Sequence, residues 1–368
     1  MLVVLFIVMA ITILSLGFVS RSDVELACGQ NMILRTELDY LAESGLEHAR
    51  GLILNPQDVD SEYWTGSAAQ QLVAGSNNYY DLVVVRDDTY PTDRCTYIID
   101  CNSYWIQSPG SLSLSNLKAT LRLDPCIALW IGSSTTVWPQ VTINGDVYCE
   151  GDLINNGTIG GDVFATGTIS GTNIEGQKNT VTEAPVSWPN LISIDFGPTY
   201  YFRSSTFSAE IVDTNHPVGT FNPTGTNIAG IRYSNNDVNM SGDVNINGTL
   251  VVNGTLRISG SNNIITAEKN FPALVVTGKV IMEDSASLVI RGLAQIGQGV
   301  SIEAGAASAN INVLGGLFIA NIGIASDKVI VNVIAAPAIA SIETWPDAST
   351  PSRWKPMAGA FFRSIERK

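Results

Sequence analysis

Charge is what this sequence has least of. Asp, Glu, Lys and Arg make up 15% of its 368 residues, and 34 acids outnumber 20 bases, for a net charge of −14. Docking on a phosphate backbone needs clustered Lys and Arg, so nucleic acid is not an expected partner. Histidine is nearly absent: His48 and His216 are the two, neither with a second ligand at metal spacing, and no zinc site is expected. The sequence also lacks a phosphate loop, a nucleophile elbow and a cysteine–histidine constellation. No cofactor and no enzymatic activity are therefore expected. Five cysteines allow at most two disulfides. What the chain has in plenty is apolar and small residues. Its 45% hydrophobic content supports a sizeable core, and 33 glycines with abundant Asn, Thr, Ser and Val point to a β-rich extracellular protein more than to a cytosolic enzyme.

The longest apolar run comes first. MLVVLFIVMAITILSLGFV, from Met1 to Val19, holds only apolar or small residues besides Thr12 and Ser15. As a helix it spans about 28 Å, close to the roughly 30 Å hydrocarbon core of a bilayer. No basic residue stands ahead of it and no small-residue cleavage pattern follows, so it does not read as a cleavable secretory signal; any leader is expected to be already removed. Past Arg21 the pattern turns amphipathic. Leu34, Leu38, Leu41, Gly45, Ala49 and Leu52 fall at helical spacing, with Arg35, Asp39, Glu43, Glu47 and Arg50 around the remaining surface. Asn55-Pro56 ends the pattern. These residues predict one helix of roughly 80 Å, apolar all round at first and one-sided afterwards, with Gly17 a weak point. Such a helix suits a subunit stored in a membrane and later packed with copies of itself. Its expected assembly positions are Met1, Leu5, Leu14, Leu34, Leu38 and Leu41. The plainer alternative is a single-span anchor with a helical stalk.

The opening MLVVLFIVMAI and the amphipathic stretch behind it resemble the type IV pilin superfamily, in particular its minor-pilin and pseudopilin branch. YYDLVVVRDD, YIIDCNSYWIQSPG and LKATLRLD look, more loosely, like that branch's globular sheet. The resemblance implies a leader cut by a prepilin peptidase, with Met1 as the mature first residue. It further implies residence in the inner membrane before assembly, extraction by the pilus assembly machinery, and a helical homopolymer outside the cell. One departure matters. Most major pilins carry a glutamate four residues after the mature N-terminus, where it pairs with the terminal amine of the preceding subunit; here Leu5 stands in that place and the first acid is Asp23. A buried amine without that partner is costly. Either the amine is neutral or satisfied otherwise, or the subunit sits at a tip where no such pairing is needed.

Further along, glycine keeps a beat. Gly145, Gly151 and Gly157 fall six apart, as do Gly161 and Gly167, and later Gly242, Gly248, Gly254 and Gly260. Val141, Val147, Leu153 and Ile159 follow the same beat, and Val244 with Ile246, Leu250 with Val252 and Leu256 with Ile258 form inward pairs. Six residues make a short strand and a corner, and three such units close a triangular coil of about 18 residues. Stacked coils predict a parallel β-helix, similar in pattern to bactofilin-like and hexapeptide-type solenoids. The repeat lapses from about Asn179 to Ala229, where Phe196, Tyr200, Tyr201 and Phe202 are expected to pack over a β-helix face, and then resumes to about Ile342. The coils predict roughly nine rungs, about 40 Å of stack. Solenoid ends call for a cap. The tail ETWPDASTPSRWKPMAGAFFRSIERK is either that cap or a dock for a neighbouring subunit.

The expected fold class is thus α+β. It comprises a long N-terminal helix (1–55), a small pilin-like antiparallel sheet domain (56–125), first β-helix coils (126–180), a Pro/aromatic-rich excursion (181–228), the main β-helix (229–342) and a tail or cap (343–368). Cys95 and Cys101, six apart in a polar-flanked β segment, are the expected disulfide; Cys126 and Cys149 stay unassigned and Cys28 is left over. Cys149 falls in an inward slot and reads as core. Asp146, Asp152, Asp162 and Asp243 sit near glycine corners and read as turn residues, because the nonapeptide calcium pattern does not recur. Lys269, Lys279, Glu283, Asp284 and Arg291 are the dense charges of the later coils, where catalysis of a lyase type is not expected. Asn156, Asn239, Asn247 and Asn253 stand in N-x-S/T sequons and are either glycosylation acceptors or simply good corner residues. Three functions fit these features: a filament subunit with the β-helix on its outer wall, a minor or tip pilin or secretion pseudopilin, and a membrane-anchored β-helix adhesin or enzyme acting on surface glycans.

Overall fold

The computed structural model describes residues 1–54, 64–87, 95–106, 111–185, 198–202, 205–213, 218–269, 271–321, 324, 327–335, 341–343, 354–356 and 359–367. Helix α1 runs unbroken from Leu2 to Leu54 over 53 residues, about 80 Å at 1.5 Å per residue. It passes through Gly17 and Gly29 without interruption. Its last third lies on an antiparallel sheet. The sheet order is β1 (Gly66–Gln70), β2 (Asn78–Arg86), β3 (Thr96–Ile106), β4 (Ser111–Asp124) and then a closing strand from the far end of the chain, Gly359–Arg367.

Alternation along the strands turns Tyr80, Leu82, Val84, Tyr97, Ile99, Cys101, Leu117, Ala119 and Leu121 inward, while Val83 and Val85 face outward. Against this face α1 buries Leu38, Leu41, Ala42, Gly45, Leu46, Ala49 and Ile53. Gly45 is where the helix comes closest: a Cβ there would lie 2.6 Å from Cys101 Sγ and 3.0 Å from the Tyr80 ring. Three polar links fix the register of helix on sheet. Ser103 Oγ donates to the Leu38 carbonyl at 2.7 Å, Ser115 Oγ donates to Asp39 Oδ1 at 2.6 Å, and the Tyr80 hydroxyl meets His48 Nδ1 at 2.9 Å.

The remaining body is a parallel β-solenoid, but its coils do not stack in chain order. One wall reads, strand by strand, Lys178–Thr180, Val163–Ala165, Asp146–Cys149, Ile127–Ile131, Ala309–Ile319, Ser287–Ile296, Leu274–Val276, Thr249–Val252, Ile231–Ser234 and Glu210–Ile211. The chain therefore starts mid-stack at Ile127 and winds outward to Thr180. The next strand of this wall, Glu210–Ile211, lies at the opposite end, from which the chain winds back to the middle. The second run does not continue the stack from the end of the first; the two runs meet at a seam. Leu317 pairs with Leu129 and Val333 with Ile143 across it, and the Phe318 and Trp130 rings stack at 6.2 Å. The wall amounts to about 43 Å at the inter-strand spacing.

The corners explain the aspartates. Asp146 Oδ1 accepts from Asp162 N–H, Asp162 Oδ1 from Gln177 N–H, Asp152 Oδ1 from Thr168 N–H, Asp237 Oδ1 from Thr255 N–H and Asp284 Oδ1 from Ala307 N–H. Each carboxylate thus caps an amide one coil further on. These steps run from 15 to 23 residues, so the coil is not a uniform 18-residue unit. Where corners stack most tightly glycine is obligatory: Gly315 has φ of +145°, and a Cβ there would lie 2.0 Å from the Gly292 carbonyl oxygen.

The C-terminal tail needs correction as well. Gly359–Arg367 does not cap the solenoid but pairs antiparallel with β4 along an edge that would otherwise be open. Asp124 is the partner of Gly359, so residues 125–358 are an insertion within one β-hairpin. The stretch around Trp345 and Arg353 lies outside the described residues.

Candidate functional site

Residues 1–33, from the chain start through the first 32 residues of α1, are exposed throughout. This stretch contains an 18-residue window of mean hydropathy 2.9 that is 0% buried, long and apolar enough to cross a membrane. Met1, Leu5 and Leu14 lie here, with Leu5 at 64% and Leu14 at 62% exposure. Leaving a Leu, Ile, Val or Phe in water forfeits about 1.5–3 kcal/mol each, so a dozen of them forfeit tens of kcal/mol. The segment is stable only in lipid or against other apolar chains. Thr12 does not alter this, because its hydroxyl is satisfied within the helix, donating to the Val8 carbonyl at 2.8 Å.

The other predicted assembly positions are corrected. Leu34 is half-buried against the sheet, and Leu38 and Leu41 are 1% and 7% exposed within the chain's own core. Their stripe is used by β2–β4 and is not open to another subunit. What remains between the apolar zone and the sheet is mixed. Arg21 and Glu25 form an i,i+4 ion pair at 2.9 Å, while Val24, Leu26, Met32 and Ile33 stand exposed and Cys28 is an exposed free thiol.

A second constellation lies where sheet meets solenoid. Cys95 is bonded to Cys126, not to Cys101. Cys95 and Cys101 sit at the start and in the middle of one extended strand, about 20 Å apart, whereas a disulfide needs Cα atoms within about 7 Å. Antiparallel pairing of β3 with β4 instead brings Cys126 within 6.2 Å of Cys95. Beside this staple Asp146, 1% exposed, accepts from Cys126 N–H through Oδ2 at 2.8 Å and lies 4.0 Å from Arg122 Nη2. Burial pushes its carboxyl up to about 6, against the lowering effect of the Cys126 and Asp162 amides and of Arg122. Burial likewise pushes the thiols of Cys101 and Cys149 up to about 12, which suppresses the thiolate and leaves both as core residues.

The structure disperses the later charges. Arg291 stands in a strand between Thr266 and Leu314, Lys279 lies on another wall beside Gly299, and Asp284 is occupied by the amides of Ala307 and Ser308. Of the sequons, Asn156, Asn239 and Asn253 are exposed. Asn247 differs: its Nδ2 donates to Asn222 Oδ1 at 2.6 Å, and Thr249 of the same sequon is 0% exposed. His216 and Phe196 lie outside the described residues, as does the side chain of Tyr201. Tyr200 and Phe202 are buried, with the Tyr200 ring 5.7 Å edge-on from Phe271 and its hydroxyl accepting from Ala229 N–H at 2.9 Å. Asn227, 1% exposed, ties this point together by holding the Ile231 N–H and carbonyl; nothing in the local sequence marked it. On a third wall, at the seam, Ser134, Thr136, Trp138, Asp152, Ile154 and Ile324 line a shallow groove of about 480 Å³. Among the described residues no group of three or more His, Cys, Asp or Glu is placed to hold a metal ion.

No family model matches the sequence, and no curated protein matches it. Among solved structures the chain is similar to the crystal structure of the competence-associated pilin ComZ from Thermus thermophilus. The identity is 12% and the TM-score 0.25, over 90% of this chain and 97% of that one. A likeness at that level carries no weight for fold or function.

Proposed function

We propose that the chain is a structural, non-enzymatic subunit of a type IV pilus-like filament on the cell surface. In this reading a prepilin peptidase exposes Met1, the residues up to Val19 hold the subunit in the inner membrane, and the assembly machinery draws it into a helical homopolymer. The bare part of α1 exchanges lipid for sibling helices, and the solenoid faces outward. One observation supports this above the others: a single unbroken helix is locked into its own sheet from Leu38 to Ile53 yet bare up to Ile33. A rigid apolar rod continuous with a folded body is at home in a bilayer or in a bundle of identical rods, whereas a simple anchor has no use for that continuity. A minor or tip position is the second reading, favoured by Leu5 where an acid would meet a neighbour's amine.

The test is to shear cells and separate released filaments from membranes. Filaments composed chiefly of this chain are expected, and Leu14→Asp is expected to abolish them while the body stays folded. Trace amounts in filaments built of another chain select the minor reading. A chain found only in membranes, and monomeric in detergent, overturns both.

A further inference from the structure

The seam is not closed alike on the three walls of the solenoid. On two of them strands of the two runs pair directly, Leu317 with Leu129 and Val333 with Ile143. On the third, one ladder of Ile169–Gly171, Leu153–Asn155 and Thr135–Val137 stops at the seam, and a second ladder stops at Gly299–Ile302. Ile324 links the two: it forms a single bridge to Val300, and its carbonyl accepts from Trp138 Nε1 at 2.8 Å. Ser133 Oγ likewise donates across the seam to the Asn321 carbonyl. Side chains thus hold here what backbone ladders hold on the other walls, and the gap they leave is the groove of about 480 Å³. That size falls among ligand clefts, about 300–1,000 Å³.

The lining mixes an apolar surface with a few convergent polar groups. Trp138 is half-buried and its N–H is spent on Ile324, so what it offers a ligand is the ring. Ile154 adds an aliphatic side chain at 47% exposure, with Thr136 beside it on the neighbouring strand. Ser134 Oγ accepts from Asp152 N–H at 3.0 Å, which leaves its own proton to donate. Asp152 Oδ1 accepts both the amide and the hydroxyl of Thr168 at 2.7 Å, which leaves Oδ2 for a ligand. Among the described residues no Lys, Arg or His lines the groove, so an anionic ligand would meet Asp152 with no cation to offset it. We infer that this groove binds a neutral hexose unit of a polysaccharide, its C–H face on Trp138 and its hydroxyls bonded to Asp152, Ser134 and Thr136. A sugar hydroxyl both donates and accepts, which suits a free carboxylate oxygen next to two side-chain hydroxyls, and the apolar face of the same ring suits an indole whose polar edge is already satisfied.

The test titrates the full chain, held in a detergent without a sugar headgroup, with cellohexaose, mannohexaose and chitohexaose, and with oligogalacturonate and pentalysine as charged controls. Saturable calorimetric binding of at least one neutral oligosaccharide is expected. Asp152→Asn keeps Oδ1 for Thr168 but turns Oδ2 into an amide NH2, and is expected to weaken that binding about tenfold with the fold retained. Trp138→Ala is expected to abolish it; should that variant not fold for want of the Ile324 link, Asp152→Asn decides. The inference is overturned if no neutral oligosaccharide binds saturably, if either charged control is preferred, or if Asp152→Asn leaves the binding unchanged. Filament formation does not enter this measurement, so a failure here and a failure of the filament reading are seen separately.

Discussion

The helix–sheet unit and the solenoid bury the same kinds of side chain by different geometries. In the first, two layers meet at one plane, and each contact is individually shaped: Gly45 admits the Cys101 thiol and the Tyr80 ring, and Ser103 reaches the Leu38 carbonyl. In the second, a column of Val, Ile and Leu repeats coil after coil, and Val147 meets Leu129 on one side and Val163 on the other. A shaped plane has one register; a column has many equivalent ones. The difference teaches that apolar pattern alone specifies partners where shapes differ, and only local conformation where they repeat. The bare part of α1 is a third case, an apolar surface whose partner is not in the chain at all.

The sharpest way to break the contrast is to place a charge in each apolar region. Val313 is 1% exposed in the column, so Val313→Asp is expected to cost more than about 4 kcal/mol and to melt the solenoid. Ile13 is 65% exposed on the bare helix, so Ile13→Asp is expected to leave the melting of the body within about 0.5 kcal/mol and to release the chain from membranes. Thermal unfolding in detergent, read beside membrane partition, separates the two.

A smaller effect is expected at the junction. The folded carboxyl of Asp146 titrates near 6 instead of 3.8, so the folded state holds the proton more firmly than the unfolded one. The stability this contributes is complete below about pH 4 and is lost as pH rises through about 6, on the order of 2–3 kcal/mol in all. Tm measured between pH 4 and 7 is expected to fall with rising pH through this group. In Asp146→Asn that component disappears, and the variant starts lower because Cys126 and Asp162 donate to different carboxyl oxygens, one of which becomes an amide NH2 that cannot accept. An unchanged pH profile in the variant would show that other groups govern the junction.

The smallest effects compare two helix glycines. Gly45→Ala pushes a methyl into Cys101 and Tyr80 and is expected to cost about 1–3 kcal/mol. Gly29→Ala meets nothing within 4 Å and is expected to gain about 0.5–1 kcal/mol of helix stability. Equal effects at both sites would mean that the helix does not sit on the sheet as described.

Much of the architecture was legible in particular residues. The run from Met1 to Val19 and the glycines from Gly145 to Gly167 state their local conformations outright, because a bilayer-length apolar helix and a six-residue corner rhythm each have few structural solutions. The placement of segments was not legible. Leu38 and Leu41 looked fit for a neighbour because a helix stripe does not say whether its partner is a sheet of the same chain or another helix. The hydroxyl partners of Tyr200, Asn227 and Ala229, lie 27 and 29 residues along the chain and were not legible, although its ring was expected over a β-helix face. The cysteine pairing failed on distance along a strand, a quantity that becomes decisive only once Cys95 and Cys101 are known to share β3.

By itself, then, the sequence determined a two-zone helix, a coiled parallel body and a charge-poor surface, because each follows from side chains within a few turns of one another. Tertiary structure alone decided that the solenoid begins at its own middle, that it is an insertion closed by Gly359–Arg367 against β4, and that Cys95 finds Cys126. These are pairings between segments far apart in the chain, whose apolar patterns fit several partners equally well, and the choice among them is made only when the whole stack and the open edge of β4 are in place.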